Sequence, residues 1–178
     1  MHFGPYRILQ KELRKVHFPD TYISADINPA LADHVVDICC IPFQDGYFDM
    51  ILCSHVLAYV EDEVTAIDEM YRVLKPGGKA LVLTLLDSSL PESLGKNDPA
   101  GASRLEPGML RVHGADFSQR LQRKGMHIQE IDYAERLSGL ERQQLSVGDG
   151  RRELIFVCTK GSPGRVHGSL TIPGETPS

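Results

Sequence analysis

No C-x-x-C pair occurs among the four cysteines Cys39, Cys40, Cys53 and Cys158. A disulfide framework or a zinc site needs paired or tighter spacing, so neither is expected and no metal is assigned. Three of the four stand in apolar company, which predicts buried, reduced thiols. No basic run is present and the net charge is −5, so broad electrostatic attraction to nucleic acid is not expected. No apolar run approaches the ~20 residues of a membrane span. Met1 leads into a mixed segment where a signal peptide has its apolar stretch, and the expectation is a cytoplasmic protein with no membrane partner. No internal repeat is visible. What remains is a chain of 178 residues, enough for one domain with a real core.

Helical and extended patterns alternate along it. "PYRILQKELRKV" carries Ile8, Leu9, Leu13 and Val16 at helical spacing, with Pro5 suited to the first helical position. "TYISADI" reads as a short strand and "HVVDICCIPF" as partly extended. "FDMILC" is a continuous apolar run, expected of a strand buried on both faces. "DEVTAIDEMYRVLKPGG" is the clearest helix, with Val64, Ile67, Met70 or Tyr71, and Leu74 as its inner stripe. Acidic residues open it, and Lys75, Pro76 and two glycines end it. "KALVLTLL" follows as another buried strand. Residues 87–114 are rich in Pro, Gly and Ser and predict a long connection of the lid or binding-loop kind. "ADFSQRLQRKG" is a short helix ending at Gly125. "MHIQEIDYA" and "RRELIFVCTK" are strands, and residues 161–178 are expected to be a disordered tail.

Such alternation argues for an α/β fold, a parallel sheet with helices on both faces. Right-handed crossovers bring the carboxyl ends of the strands to one edge, and ligands bind outside that edge. In "YFDMILCSHVLAYV" the apolar run breaks at Ser54 and His55, polar groups that such an edge requires. "HFGP" at residues 2–5 places a glycine just before a helix, where free N–H groups and close backbone approach are possible; a plain tight turn explains it as well. Asp26 ends the second strand, where an acid accepts both hydroxyls of a ribose; capping a turn is the other reading. Asp37 precedes an apolar pair, where it can meet an adenine edge while Ile38 covers the ring; a turn-forming aspartate is the alternative. His55 can equally donate to a backbone carbonyl.

Taken in order, "DINP…VVDICCIPFQDGYFDMILCSHVLAYVEDEVTAIDEMYRVLKPGGKALV" resembles the class I, seven-strand S-adenosylmethionine-dependent methyltransferases, in particular the small type 11 group. The resemblance covers roughly residues 2–160. Asp26 matches the family's ribose acid. Asp37, Ile38, Pro42, Phe43, Asp45, Phe48 and Asp49 match its next motif. Ser54, His55, Val56, Leu57 and Val60 match the stretch that lines the methionine end, and Arg72 to Gly78 match "R-V-L-K-P-G-G". The resemblance implies a doubly wound, mostly parallel sheet with a C-terminal antiparallel strand, and a methyltransferase-like domain over 1–160. It also implies S-adenosyl-L-methionine as cofactor, held by Phe3, Gly4, Pro5, Asp26, Ile27, Asp37, Ile38, Ser54 and His55.

The chain departs from that family at three points. "HFGP" replaces the glycine-rich first motif, with Tyr6 where a subset of the family has an acid. Ala58 and Tyr59 replace "E-H" in "L-E-H-V". Met1 falls inside the expected first strand, which predicts bare apolar surface and self-association through that side. Three functions follow: a methyltransferase of unknown acceptor, a small molecule favoured over a lipid or a protein; a shortened, inactive relative serving as a binding or scaffold module; and a nicotinamide-dependent oxidoreductase, whose glycine fingerprint is missing. His55 and His113 are the candidates for a base, needed only where the acceptor loses a proton during attack.

Overall fold

The computed structural model describes residues 1–16, 21–122, 126–139 and 151–161. In chain order these form β1 (His2–Phe3), α1 (Arg7–Val16), β2 (Ser24–Asp26), β3 (His34–Val35), β4 (Phe48–Ser54), α2 (Glu63–Val73), β5 (Leu74–Asp87), β6 (Leu94–Gly95), α3 (Pro99–Ala102), β7 (Arg111–Val112), α4 (Phe117–Leu121), β8 (His127–Asp132) and β9 (Arg151–Thr159). Seven strands make one sheet in the order β3-β2-β1-β4-β5-β9-β8, and β6 and β7 pair separately. The pairs from β3 across to β5 are parallel. β9 runs antiparallel to both of its neighbours, β5 and β8, so the expected doubly wound, mostly parallel sheet with a C-terminal antiparallel strand is the fold observed.

The core lies on one face of this sheet. Ile51 and Cys53 of β4, Ala80 and Val82 of β5, and Phe156 and Cys158 of β9 point into it. Ala66, Ile67, Met70 and Val73 of α2 cover it together with Phe117 and Leu121 of α4. Along β5 the even-numbered residues from Ala80 to Leu86 are buried and the odd-numbered ones are only partly so. β4 alternates as well, with Met50 half exposed. The expectation that this run is buried on both faces is therefore corrected: α2 and α4 cover one face of β4, and among the described residues nothing covers the other to the same depth.

Helix α1 departs from expectation too. It starts at Arg7, not Pro5, and buries none of its residues. Ile8 and Val16 stay well exposed. The strands it joins are two and three residues long, too small a surface for a helical stripe to bury against. In α2 the inner stripe is Ala66, Ile67, Met70 and Val73, while Val64 lies at its margin. Asp62 caps the start, accepting from Thr65 N at 3.0 Å. Lys160 caps the end, its Nζ donating to the carbonyls of Tyr71 and Leu74 at 2.8 Å each. Residues 87–114 are not structureless: they hold β6, α3 and β7. Cys53 and Cys158 are buried, Cys39 half-buried and Cys40 exposed, and all four are free thiols. Gly125 and the expected tail beyond residue 161 lie outside the described residues.

His2, on β1, is 1% exposed. Its Nδ1 is 2.7 Å from the Tyr22 hydroxyl, while its Nε2 is buried with no partner among the described residues. Burial, and then the adjacent amino-terminal charge, pushes its pKa from 6.5 down to about 4. The folded chain therefore holds fewer protons here than the unfolded one between those values, and stability rises with pH across that window. Taking the pH from 7 to 4 is expected to cost about 3 kcal/mol through this one group. Chemical denaturation at stepped pH measures it: His2→Leu should flatten the slope, and an unchanged slope would assign the pH dependence elsewhere.

Candidate functional site

Register places the site. Phe3 is level with Ala25 and Cys53, and Ala25 with His34. The next row along the carboxyl edge is therefore Gly4, Asp26, Val35 and Ser54, continued into Leu83. One residue further stand Pro5, Ile27, Val36 and His55. Sequence-predicted residues from three separate stretches thus meet on one edge. Gly4 has φ +59°, and a Cβ there would come within 2.7 Å of Val56 Cγ2 and 3.3 Å of Ser54 O. Only glycine suits both the dihedral and the approach of β1 to β4. His55 also has positive φ, 56°, uncommon outside glycine. Its N–H donates to Leu83 O at 2.9 Å, so the bend that turns the chain away from β4 is held by the ladder.

Asp26 and Asp37 share a local design. Asp26 Oδ1 accepts from Asn28 N at 2.8 Å, and Asp37 Oδ1 accepts from Cys39 N at 2.8 Å. The turn-forming reading is therefore present at both. It uses Oδ1 of each; the Cys39 thiol also interacts with the Asp37 carboxylate, and Asp26 Oδ2 has no partner among the described residues. Ile38, beside exposed Asp37, is 4% exposed and belongs to the core, so it presents little surface to a ring.

The loop carrying Asp37 is pinned from α2. Glu69 Oε2 accepts from Ile41 N at 2.9 Å. Arg72 donates to Ile41 O, Phe43 O and Asp45 Oδ1 at 2.7–2.8 Å, and to both oxygens of Glu69. Sequence reasoning matched Arg72 to a motif without giving it this work. The Glu69–Arg72 spacing, i to i+3, was the available signal.

A second tie joins the 87–113 segment to the start of α2. His113 is 1% exposed and Glu63 3%. His113 Nε2 is 2.7 Å from Glu63 Oε1, and its Nδ1 is 2.8 Å from Thr84 Oγ1. Arg120 of α4 donates to Glu63 Oε2, its Nε at 2.8 Å. Both ring nitrogens of His113 are thus engaged inside the protein and neither reaches the edge, which does not fit a base meeting an acceptor. Burial alone would raise the Glu63 pKa, but the hydrogen bonds and charges of His113 and Arg120 outweigh it and hold the carboxyl below its usual value. Beside this tie a cleft of about 480 Å³ is lined by Val64, Ile67, Glu92, Asp116 and Gln119; it lies between α2 and α4, away from the row of Gly4, Asp26 and Ser54.

Because the folded-state pKa of Glu63 is depressed, its contribution is present above about pH 4.5 and disappears as pH falls through the folded value. Glu63→Gln should destabilise the chain at pH 7 by about 3 kcal/mol, the scale for breaking a buried ion pair. The gap between variant and wild type should narrow in acid. Denaturation curves that remain equally spaced from pH 7 to pH 3 would contradict this.

Comparison with known proteins gives the geometry its context. Residues 7–82 match the family described as "Methyltransferase domain". A ubiquinone/menaquinone biosynthesis C-methyltransferase of Francisella philomiragia is 48% identical over 52 residues, 29% of this chain and 21% of that protein, so the match spans about a fifth of the relative. Among solved structures, an S-adenosylmethionine-dependent methyltransferase from Mesorhizobium loti superposes with TM-score 0.65 at 15% identity, covering 89% of each chain. Geranyl diphosphate C-methyltransferase from Streptomyces coelicolor gives 0.66 at 14% identity, covering 89% of this chain and 69% of that one. The fold is that of these solved structures, and over residues 7–82 the chain is similar to the methyltransferase-domain family.

Proposed function

We propose that the chain is an S-adenosylmethionine-dependent methyltransferase acting on a small-molecule acceptor, with residues 1–160 working as one domain. The observation that carries this reading is the shared row of Gly4, Asp26 and Ser54, with one Asp26 oxygen left beyond its own turn. The residues fit the cofactor. The second Asp26 oxygen suits ribose hydroxyls at the end of β2, and exposed Asp37, with the Ile38 side chain buried behind it, suits an adenine edge beyond β3. Phe3, Gly4, Pro5 and Ile27 supply backbone between those ends and β4, where Ser54 and His55 close the row. When bound, S-adenosylmethionine supplies an electrophilic methyl carbon on a sulfonium.

The chain's own part is chiefly to hold partners in line, which by itself can supply much of the acceleration. His55, one residue beyond the row, is the remaining candidate to take a proton where the acceptor must lose one. Residues 87–113 flank this end and shape the acceptor's approach. A small molecule is favoured by the relatives, which are named for ubiquinone/menaquinone biosynthesis and for geranyl diphosphate, and by the absence of any basic run that would favour nucleic acid.

Scanning calorimetry in excess S-adenosylmethionine, S-adenosylhomocysteine or NADH tests the reading, since a ligand that prefers the native state raises its midpoint. The first two should raise it and NADH should not. A shift with NADH alone would favour an oxidoreductase, and none with any ligand a scaffold module. Asp26→Ala should weaken S-adenosylhomocysteine binding by about 1.5–3 kcal/mol, the scale of a hydrogen bond to a charged group. Unchanged affinity in the folded variant would leave Asp26 only its turn.

A further inference from the structure

We propose that Arg111 is a positioning residue for the amino-acid end of the cofactor, acting through the backbone of residues 57–61; the inference rests on the cofactor reading above. Arg111 lies on β7, in the segment that flanks the acceptor side. Its Nη1 donates to Leu57 O at 2.7 Å and Val60 O at 2.6 Å, and its Nη2 to Glu61 O at 3.0 Å. The adjacent Leu110 N–H donates to Ala58 O at 2.8 Å. Four carbonyls between Leu57 and Glu61 are thus taken by two consecutive residues of a distant segment, and the charge of Arg111 also acts on the Asp62 carboxylate. The turn, Leu57–Tyr59, is a single 3-10 turn whose own hydrogen bonds are few. A planar guanidinium with fixed donor directions sets its orientation in a way that a flexible ammonium does not.

The turn's place in the fold makes this matter. It follows Ser54, His55 and Val56, and its own Leu57 and Ala58 are 2% exposed, so it is packed into the interior beside the edge. A nucleoside laid with its base beyond β3 and its ribose at β2 brings its 5′ substituent to the ends of β1 and β4, beside this turn. The carbonyl ends of a helical turn carry partial negative charge. Left bare they would repel the carboxylate of that substituent, and Arg111 occupies them. The same side chain closes the 87–113 segment onto the end of the cofactor from which the methyl group leaves.

The test compares two probes that share an adenosine: S-adenosylhomocysteine, which has the amino-acid end, and 5′-methylthioadenosine, which lacks it. Titration calorimetry on the full chain should show Arg111→Ala binding S-adenosylhomocysteine about tenfold more weakly, a change of about 1.4 kcal/mol. Methylthioadenosine affinity should stay within about twofold of wild type. Arg111→Lys, which keeps the charge and loses the fork, should fall between and guards against a variant that fails to fold. Equal weakening of both probes would reduce Arg111 to a general structural tie and overturn the inference, as would no weakening of either. A wild-type chain that binds neither probe overturns the cofactor reading beneath it, and this inference with it.

Discussion

Two residues hold the sheet together at its centre. β1 is only His2–Phe3, yet it is paired on both sides, with β2 and with β4. His2 N donates to Ile23 O at 2.8 Å, Gly4 N to Ala25 O at 3.2 Å, and Leu52 N to Met1 O at 2.9 Å. Phe3 fixes the pairing from below: it is 2% exposed and sits in the main core, a burial worth about 3–5 kcal/mol on the scale of Phe→Ala substitutions. Everything at the edge inherits this alignment. A slip of one residue at β1 would exchange His2 and Phe3 between faces. It would also remove Gly4 from the level of Asp26 and Ser54.

Beyond that strand, the irregular segments are tied down by cations on backbone carbonyls as well as by apolar packing of Ile38, Ile41 and Leu57. Arg72 holds the loop after β3, Arg111 holds the turn after β4, and Lys160 closes the end of α2. In each case one long side chain satisfies carbonyls that the ladder and helices leave over, as buried backbone groups require. Glu63 does the converse, receiving His113 from the long connection and Arg120 from α4. These ties cross from one element to another, so the edge is held by α2, α4 and the 87–113 segment together. Exposed ion pairs such as Lys75–Asp49 lie outside this scheme and contribute little.

Much of this was legible in the residues. Alternating strand and helix patterns gave the parallel sheet, and the polar break at Ser54 and His55 marked the carboxyl end of β4, because an apolar run that ends in polar groups has a physical reason to stop there. Asp26 and Gly4 were legible as types: an acid and a glycine, each at a strand end. The side-chain ties were not. Arg111 lies 50–54 residues from the carbonyls it holds, and no local pattern reports such a contact. His113 read as a possible base because its burial between Thr84 and Glu63 depends on how a long connection folds back. The exposed stripe of α1 misled for a related reason: periodicity shows that a helix has an apolar face, and not whether a surface exists to receive it.

The central claim is that the cofactor lies along one row of backbone from β3 to β4. Amide chemical shifts of the ¹⁵N-labelled chain, followed while S-adenosylhomocysteine is added, test it most directly. The account predicts that the largest changes fall at Gly4, Asp26 and Ile27, at Asp37 and Ile38, and at Ser54 and His55, with smaller ones through residues 57–61. Changes confined to the cleft between α2 and α4, around Val64, Gln119 and Arg120, or no changes at saturating ligand, would contradict it.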